Sequence, residues 1–160
     1  MQRRQFLGIA AGSAVSSALG LAPADVRASD RGVFQHGIAS GDPLHDRVIL
    51  WTRVSGVALE RIELTWQVAT DPDMRRVVTT GSTVTGPERD YTVKVDVVGL
   101  DPATEYFYRF AWAKELSAVG RTRTLPDGSP EAARFAVVSC SNYPYGFFHV
   151  YKEIAADETL

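Results

Sequence analysis

The sequence holds one cysteine in 160 residues. A small exported domain pinned by disulfides carries an even set, so this chain must rely on a packed core. It has no basic excess either. Seventeen Lys and Arg stand against 19 Asp and Glu, a net of −2, and beyond the first residues no basic run exceeds Arg75-Arg76. That removes the electrostatic footprint of a nucleic-acid-binding surface. No apolar run comfortably fills the roughly 20 residues of a membrane-spanning helix. Helical periodicity is missing from residue 29 until Phe147. What is present is ordinary for a globular chain: 45% hydrophobic and 22% charged residues, enough to bury a core. The length allows one domain, or one small domain and a piece of another.

The N-terminus reads as a targeting segment. Met1-Gln2-Arg3-Arg4-Gln5-Phe6-Leu7 is a short basic start. Gly8 to Pro23 is weakly apolar, uncharged and rich in Ala, Gly and Ser. Val26-Arg27-Ala28 offers small residues for cleavage after Ala28. This is the three-part plan of a signal peptide over residues 1–28, and it predicts no permanent membrane anchor. Arg3-Arg4 ahead of Phe6-Leu7 resembles the twin-arginine export motif, with Gln2 and Gly8 departing from its usual flanks. The expected partner is the twin-arginine translocase, and the expected location is the periplasm or the extracellular space. Without residues 1–28 the chain keeps 14 basic and 18 acidic residues, a net of −4.

Residues 31–125 carry the period of strands. Arg47 to Arg53 contains the run Val48-Ile49-Leu50-Trp51. Ile62, Leu64, Trp66 and Val68 alternate with Glu63, Thr65 and Gln67. Tyr91, Val93, Val95 and Val97 alternate with Thr92, Lys94 and Asp96. Tyr106, Tyr108, Phe110 and Trp112 share one face, with Arg109 on the other. Arg121 to Leu125 reads as a last edge strand. Turn signals at Asp71-Pro72-Asp73, Thr85-Gly86-Pro87 and Leu100-Asp101-Pro102 separate these runs. Short alternating strands at this spacing predict a mainly β fold, a fibronectin type III or immunoglobulin-like β-sandwich. Gly99 to Tyr106 resembles the corner of fibronectin type III domains. There a tyrosine at the start of a late strand returns its hydroxyl to the preceding turn. Trp51 and Trp66 are read as core fillers.

Pro126-Asp127-Gly128-Ser129-Pro130 breaks the pattern, and residues 126–133 read as a linker. Arg134-Phe135-Ala136-Val137-Val138 is apolar without alternation, as expected of a strand buried on both faces of an α/β layer. Phe147, Val150, Tyr151 and Ile154 then recur at helical spacing. One strand and one helix cannot bury an α/β core, so residues 134–160 are expected to be the start of a second, truncated domain. Ligands of open α/β sheets gather at the carboxyl ends of strands, and Cys140 falls just past such an end. Its bland alternative is a small buried apolar residue.

Val137-Val138-Ser139-Cys140-Ser141-Asn142-Tyr143, followed by Gly146-Phe147-Phe148, resembles the opening of the catalytic domain in D-type (PhoD-like) alkaline phosphatases. Gly37-Ile38-Ala39-Ser40-Gly41-Asp42-Pro43 and Val48 to Arg53 resemble the start of that family's N-terminal domain. The resemblance runs over essentially the whole chain. It implies an exported metallophosphoesterase that hydrolyses phosphate monoesters or diesters with iron and calcium. It further implies that Cys140 is an iron ligand. The family's other ligands lie further on, beginning with a Gly-Asp-x-x-Tyr segment absent from this chain, so the fragment alone is expected to be inactive.

A different class stays open, an exported fibronectin-like module that binds a partner or surface. A third, the purple acid phosphatase group, also joins a fibronectin-like domain to a metallophosphoesterase. Cys140 and the twin-arginine signal argue against it. His36, His45 and His149 show no ligand spacing and read as surface or packed residues. Asp42 and Asn142 receive no role.

Overall fold

A computed structural model describes residues 32–129, 132–142, 144–157 and 160. The expected signal peptide over residues 1–28, with Arg3 and Arg4, lies outside the described residues. Among the described residues the chain forms eight strands, one α-helix and one short 3-10 turn at Pro87–Arg89. The strands are β1 (Ile38–Gly41), β2 (Arg47–Arg53), β3 (Ile62–Ala69), β4 (Val77–Thr85), β5 (Thr92–Val98), β6 (Glu105–Trp112), β7 (Glu115–Leu116) and β8 (Gly120–Arg123). The helix is α1 (His149–Ala156).

All strand pairs are antiparallel, and they make two sheets. One runs β1-β2-β5; the other runs β4-β3-β6, with β7 and β8 both on the far side of β6. The fold is therefore mainly β. Alternation decides which residues enter the core. In β2, Val48, Leu50 and Thr52 are buried; in β3, Ile62, Leu64 and Val68; in β6, Tyr106, Tyr108 and Phe110. With Val93 and Val97 of β5 the apolar residues among them form one cluster drawn from both sheets, so the two faces pack as a sandwich. Thr52 satisfies its buried hydroxyl by donating to the Gly37 carbonyl at 3.0 Å.

Several expectations are corrected. Trp51 is not a core filler. Its neighbours Leu50 and Thr52 point inward, so the period of two sends Trp51 to the outer face, where it is half-buried between Ala39 and Lys94 of the adjacent strands. Trp66 does pack against the core. The last strand is Gly120–Arg123, shorter than 121–125 implies. β1, β4 and β7 carry no strong apolar alternation and escape a reading by hydrophobic period. Residues 134–138 form no strand. Phe135 is 82% exposed and Val137 90%, because a single extended segment with no sheet beside it has no ladder and no layer to enter. The helix starts at His149, two residues after the apolar spacing begins.

Candidate functional site

Two places concentrate the polar chemistry: the corner between β5 and β6, and the loop around Cys140. The corner begins at Gly99, whose φ of 78° is a left-handed conformation that costs glycine nothing. Leu100 then turns into the core, 6% exposed. Tyr106 is buried, and its hydroxyl accepts the Asp101 backbone N–H at 2.9 Å, as the sequence predicts. Thr124 completes the corner from the end of β8. Its hydroxyl donates to the Asp101 carbonyl at 2.6 Å and accepts the Thr104 N–H at 3.0 Å. The backbone of the loop before β2 joins in: Leu100 N–H donates to Asp46 O at 2.9 Å, and Leu125 N–H to Leu44 O at 3.0 Å. Thr124 had no signal in the sequence beyond its place in the strand.

Charged groups on the sandwich act as local fasteners. Arg47 holds Asp46 at 3.1 Å and Asp96 at 3.3 Å. Arg53 grips Asp90 through two nitrogens, at 3.0 and 2.8 Å, and also contacts Ser55 and His36 Nε2. The Arg47 hydrogen bond keeps the Asp46 carboxyl below the ordinary aspartate range, and Arg53 does the same for Asp90. Asp71 is lowered first by the backbone N–H of Arg75. Burial raises the Tyr108 hydroxyl. None of these groups faces another in a way that sets up acid–base work.

Cys140 sits in an exposed loop with a φ of 59°. The Tyr145 N–H donates to Asn142 O at 2.9 Å, which closes a tight turn just after it. Ser141 Oγ meets the Tyr151 hydroxyl on α1, and the Phe147 ring stacks on His149. The thiol is thus presented outward on a loop tied to the helix, and it is not a packed core residue. Among the described residues no group of three or more His, Cys, Asp or Glu converges. His36 lies beside Arg53, His45 in the loop before β2, and His149 at the start of α1. Cys140 fits one position of a metal site by its chemistry, but the described residues do not make a metal centre.

A family model described as "PhoD-like phosphatase, N-terminal domain" matches residues 20–126, the span that ends where β8 leaves the corner. The chain belongs to this PhoD-like family. It is 37% identical over 134 residues to alkaline phosphatase D of Bacillus subtilis (strain 168), covering 78% of this chain and 23% of that protein. A solved structure titled "Structure of PhoD" superposes with a TM-score of 0.71 at 38% identity, over 78% of this chain and 26% of the other. The chain thus spans about a quarter of the length of the PhoD-like proteins it matches.

Proposed function

We propose that this chain is the N-terminal part of an exported PhoD-like alkaline phosphatase that hydrolyses phosphate monoesters or diesters. The observation that carries this is the match to the PhoD-like N-terminal domain over residues 20–126, at 37% identity to a named alkaline phosphatase. On this reading residues 31–125 are a fibronectin-like scaffold without catalytic groups. Residues 126–133 are a linker, and residues 134–160 open a metallophosphoesterase domain. Exposed apolar side chains at Phe135, Val137 and Phe147 support that assignment, since they need a neighbouring layer to cover them. Cys140 then contributes a thiolate to iron, a donor that suits this metal. In phosphate-ester hydrolysis, bound iron and calcium neutralise phosphate charge and activate water. The chain of 160 residues offers one such donor and is inactive alone. Arg3 and Arg4 direct the folded protein through the twin-arginine translocase, to the periplasm or beyond.

The test uses the protein extended to the length of its relatives. Hydrolysis of bis-p-nitrophenyl phosphate is expected, lost on prolonged chelation. Cys140→Ala is expected to remove bound iron by elemental analysis while leaving the sandwich folded. Normal iron content and normal turnover in that variant would reduce Cys140 to a surface thiol. Arg3→Lys with Arg4→Lys is expected to hold precursor in the cytoplasm; unchanged export would assign the general secretory route. A chain that hydrolyses no phosphate ester at any length would favour the binding-module reading.

A further inference from the structure

The sandwich has two ends, and each shows a pair of exposed leucines. At the corner end, where β2 and β6 start, stand Leu44, 50% exposed, and Leu125, 47%. At the far end, where β2 and β6 finish, stand Leu59, 54%, and Leu116, 57%. Composition does not separate the ends, but the backbone does. At the corner, Pro43, Pro102 and Pro126 carry no N–H. The N–H groups of their neighbours Leu44, Ala103 and Leu125 are already bonded, to the carbonyls of Arg47, Leu125 and Leu44, at 2.9, 2.9 and 3.0 Å. Covering this surface removes apolar side chains from water and orphans none of these donors, so its desolvation is favourable. The bonds of Tyr106 and Thr124 hold the loops in place, so docking there needs little further ordering.

The path of the chain separates the ends as well. β8 runs antiparallel to β6 and finishes at Arg123, opposite Glu105, so the chain leaves the sandwich at the corner. Phe135 and Leu160 then bound a cleft of about 550 Å³ against Ala103, Leu125 and Pro126. Leu44 adjoins that cleft through its bond to Leu125. The far end instead receives the entering chain, where Phe34 and Leu116 share a groove. We propose that the corner end is the docking face for the domain that residues 134–160 open, and that the segment following Leu160 covers Leu44, Ala103 and Leu125. This rests on the reading of the chain as the front of a longer PhoD-like protein, since it spans 23% of one such relative and 26% of another. Leu160 lines the cleft, so the segment that follows starts at the site at high effective concentration. Domains of one chain move freely unless an apolar interface joins them. Here the sandwich becomes a fixed platform for the catalytic domain, and residues 126–133 a short crossing between the two.

The four leucines give the test its control. Hydroxyl-radical labelling read by mass spectrometry compares each side chain in the 160-residue chain and in the protein extended to the length of its relatives. In the extended protein, labelling of Leu44 and Leu125 is expected to fall about fivefold or more, as at the centre of an interface, while Leu59 and Leu116 keep theirs. Leu44→Glu with Leu125→Glu is expected to leave the unfolding midpoint of the shorter chain unchanged, and to lower that of the sandwich in the extended protein. Unchanged labelling at Leu44 and Leu125 overturns the proposal, as does a fall at Leu59 and Leu116 in their place. An extended protein whose unfolding ignores the two substitutions overturns it too. The labelling uses the unaltered protein, so it decides even if the double variant misfolds. Hydrolysis of bis-p-nitrophenyl phosphate by the same extended protein is a separate readout. Turnover with Leu44 and Leu125 still labelled removes the docking face and keeps the phosphatase. Protection of both leucines without turnover keeps the docking face and removes the phosphatase.

Discussion

At the scale of the residue, Tyr106 shows how one side chain can hold a loop. The turn from β5 to β6 leaves the Asp101 N–H without a strand partner, and the Tyr106 hydroxyl takes it at 2.9 Å. Removing only the oxygen isolates that bond. Tyr106→Phe is expected to cost about 1–3 kcal/mol, nearer the lower figure because water can reach the exposed Asp101 and replace part of the loss. The ring stays, so the core should not loosen, and the denaturant slope should stay constant while the midpoint falls. A midpoint within error of the parent would show that the bond contributes nothing net. This residue was legible in the sequence because Leu100, Pro102, Thr104 and Tyr106 stand at fixed offsets. Thr124, which binds the same turn from 23 residues away in sequence, was not, since nothing local distinguishes it from any strand threonine.

At the scale of the element, the β3–β4 connection depends on a carboxylate. The Asp71 side chain accepts the backbone N–H of Arg75 at 3.1 Å and of Arg76 at 2.6 Å, folding the turn back so that β4 can start beside Ala69. These bonds favour the charged form, so the folded carboxyl lies below its ordinary value. Its contribution to stability is therefore complete above the unfolded pKa, about 4, and is lost as the pH falls through the lower folded value. Asp71→Asn is expected to lower the urea midpoint at pH 7, with the gap to the parent closing as the pH falls below about 4. A gap that does not change with pH would mean that the carboxylate's charge plays no part. The strand this turn launches is also the one hardest to read. β3 and β6 announce themselves because they are central and alternate apolar with polar. β4 lies at an edge, buries only its last residue fully, and is composed of Thr, Val, Ser and Gly, so hydrophobic period says little about it. Trp51 was misplaced for a related reason. In Val48-Ile49-Leu50-Trp51 every residue is apolar, so the run does not say which alternate set faces in, and the core took Val48, Leu50 and Thr52. The lone strand over 134–138 was legible as a pattern, yet pattern alone cannot supply the layer that would make it a strand.

At the scale of the whole molecule, the question is whether residues 130–160 contribute to the fold of the sandwich. Every member of the buried cluster lies between Phe34 and Phe110. The structure ties α1 to the sandwich by a long contact, in which Arg121 Nη2 donates to the Ala155 carbonyl at 3.4 Å. An exposed bond of that length is worth little against the entropy of holding a helix in place. The same region displays Phe135, Tyr145, Phe147 and Val150 to solvent, which invites association. Two consequences separate here. Deleting residues 130–160 should leave the unfolding free energy of the sandwich within about 0.5 kcal/mol of the longer chain, because the buried cluster among the described residues lies wholly outside the deleted segment. It should also raise the concentration at which the protein stays clear, because the exposed apolar groups go with the deletion. The first is read by chemical denaturation followed at the buried tyrosines, the second by light scattering. A loss of several kcal/mol would mean that the segment packs on the sandwich in solution and that the corner needs it. Equal scattering would mean that these side chains are already covered.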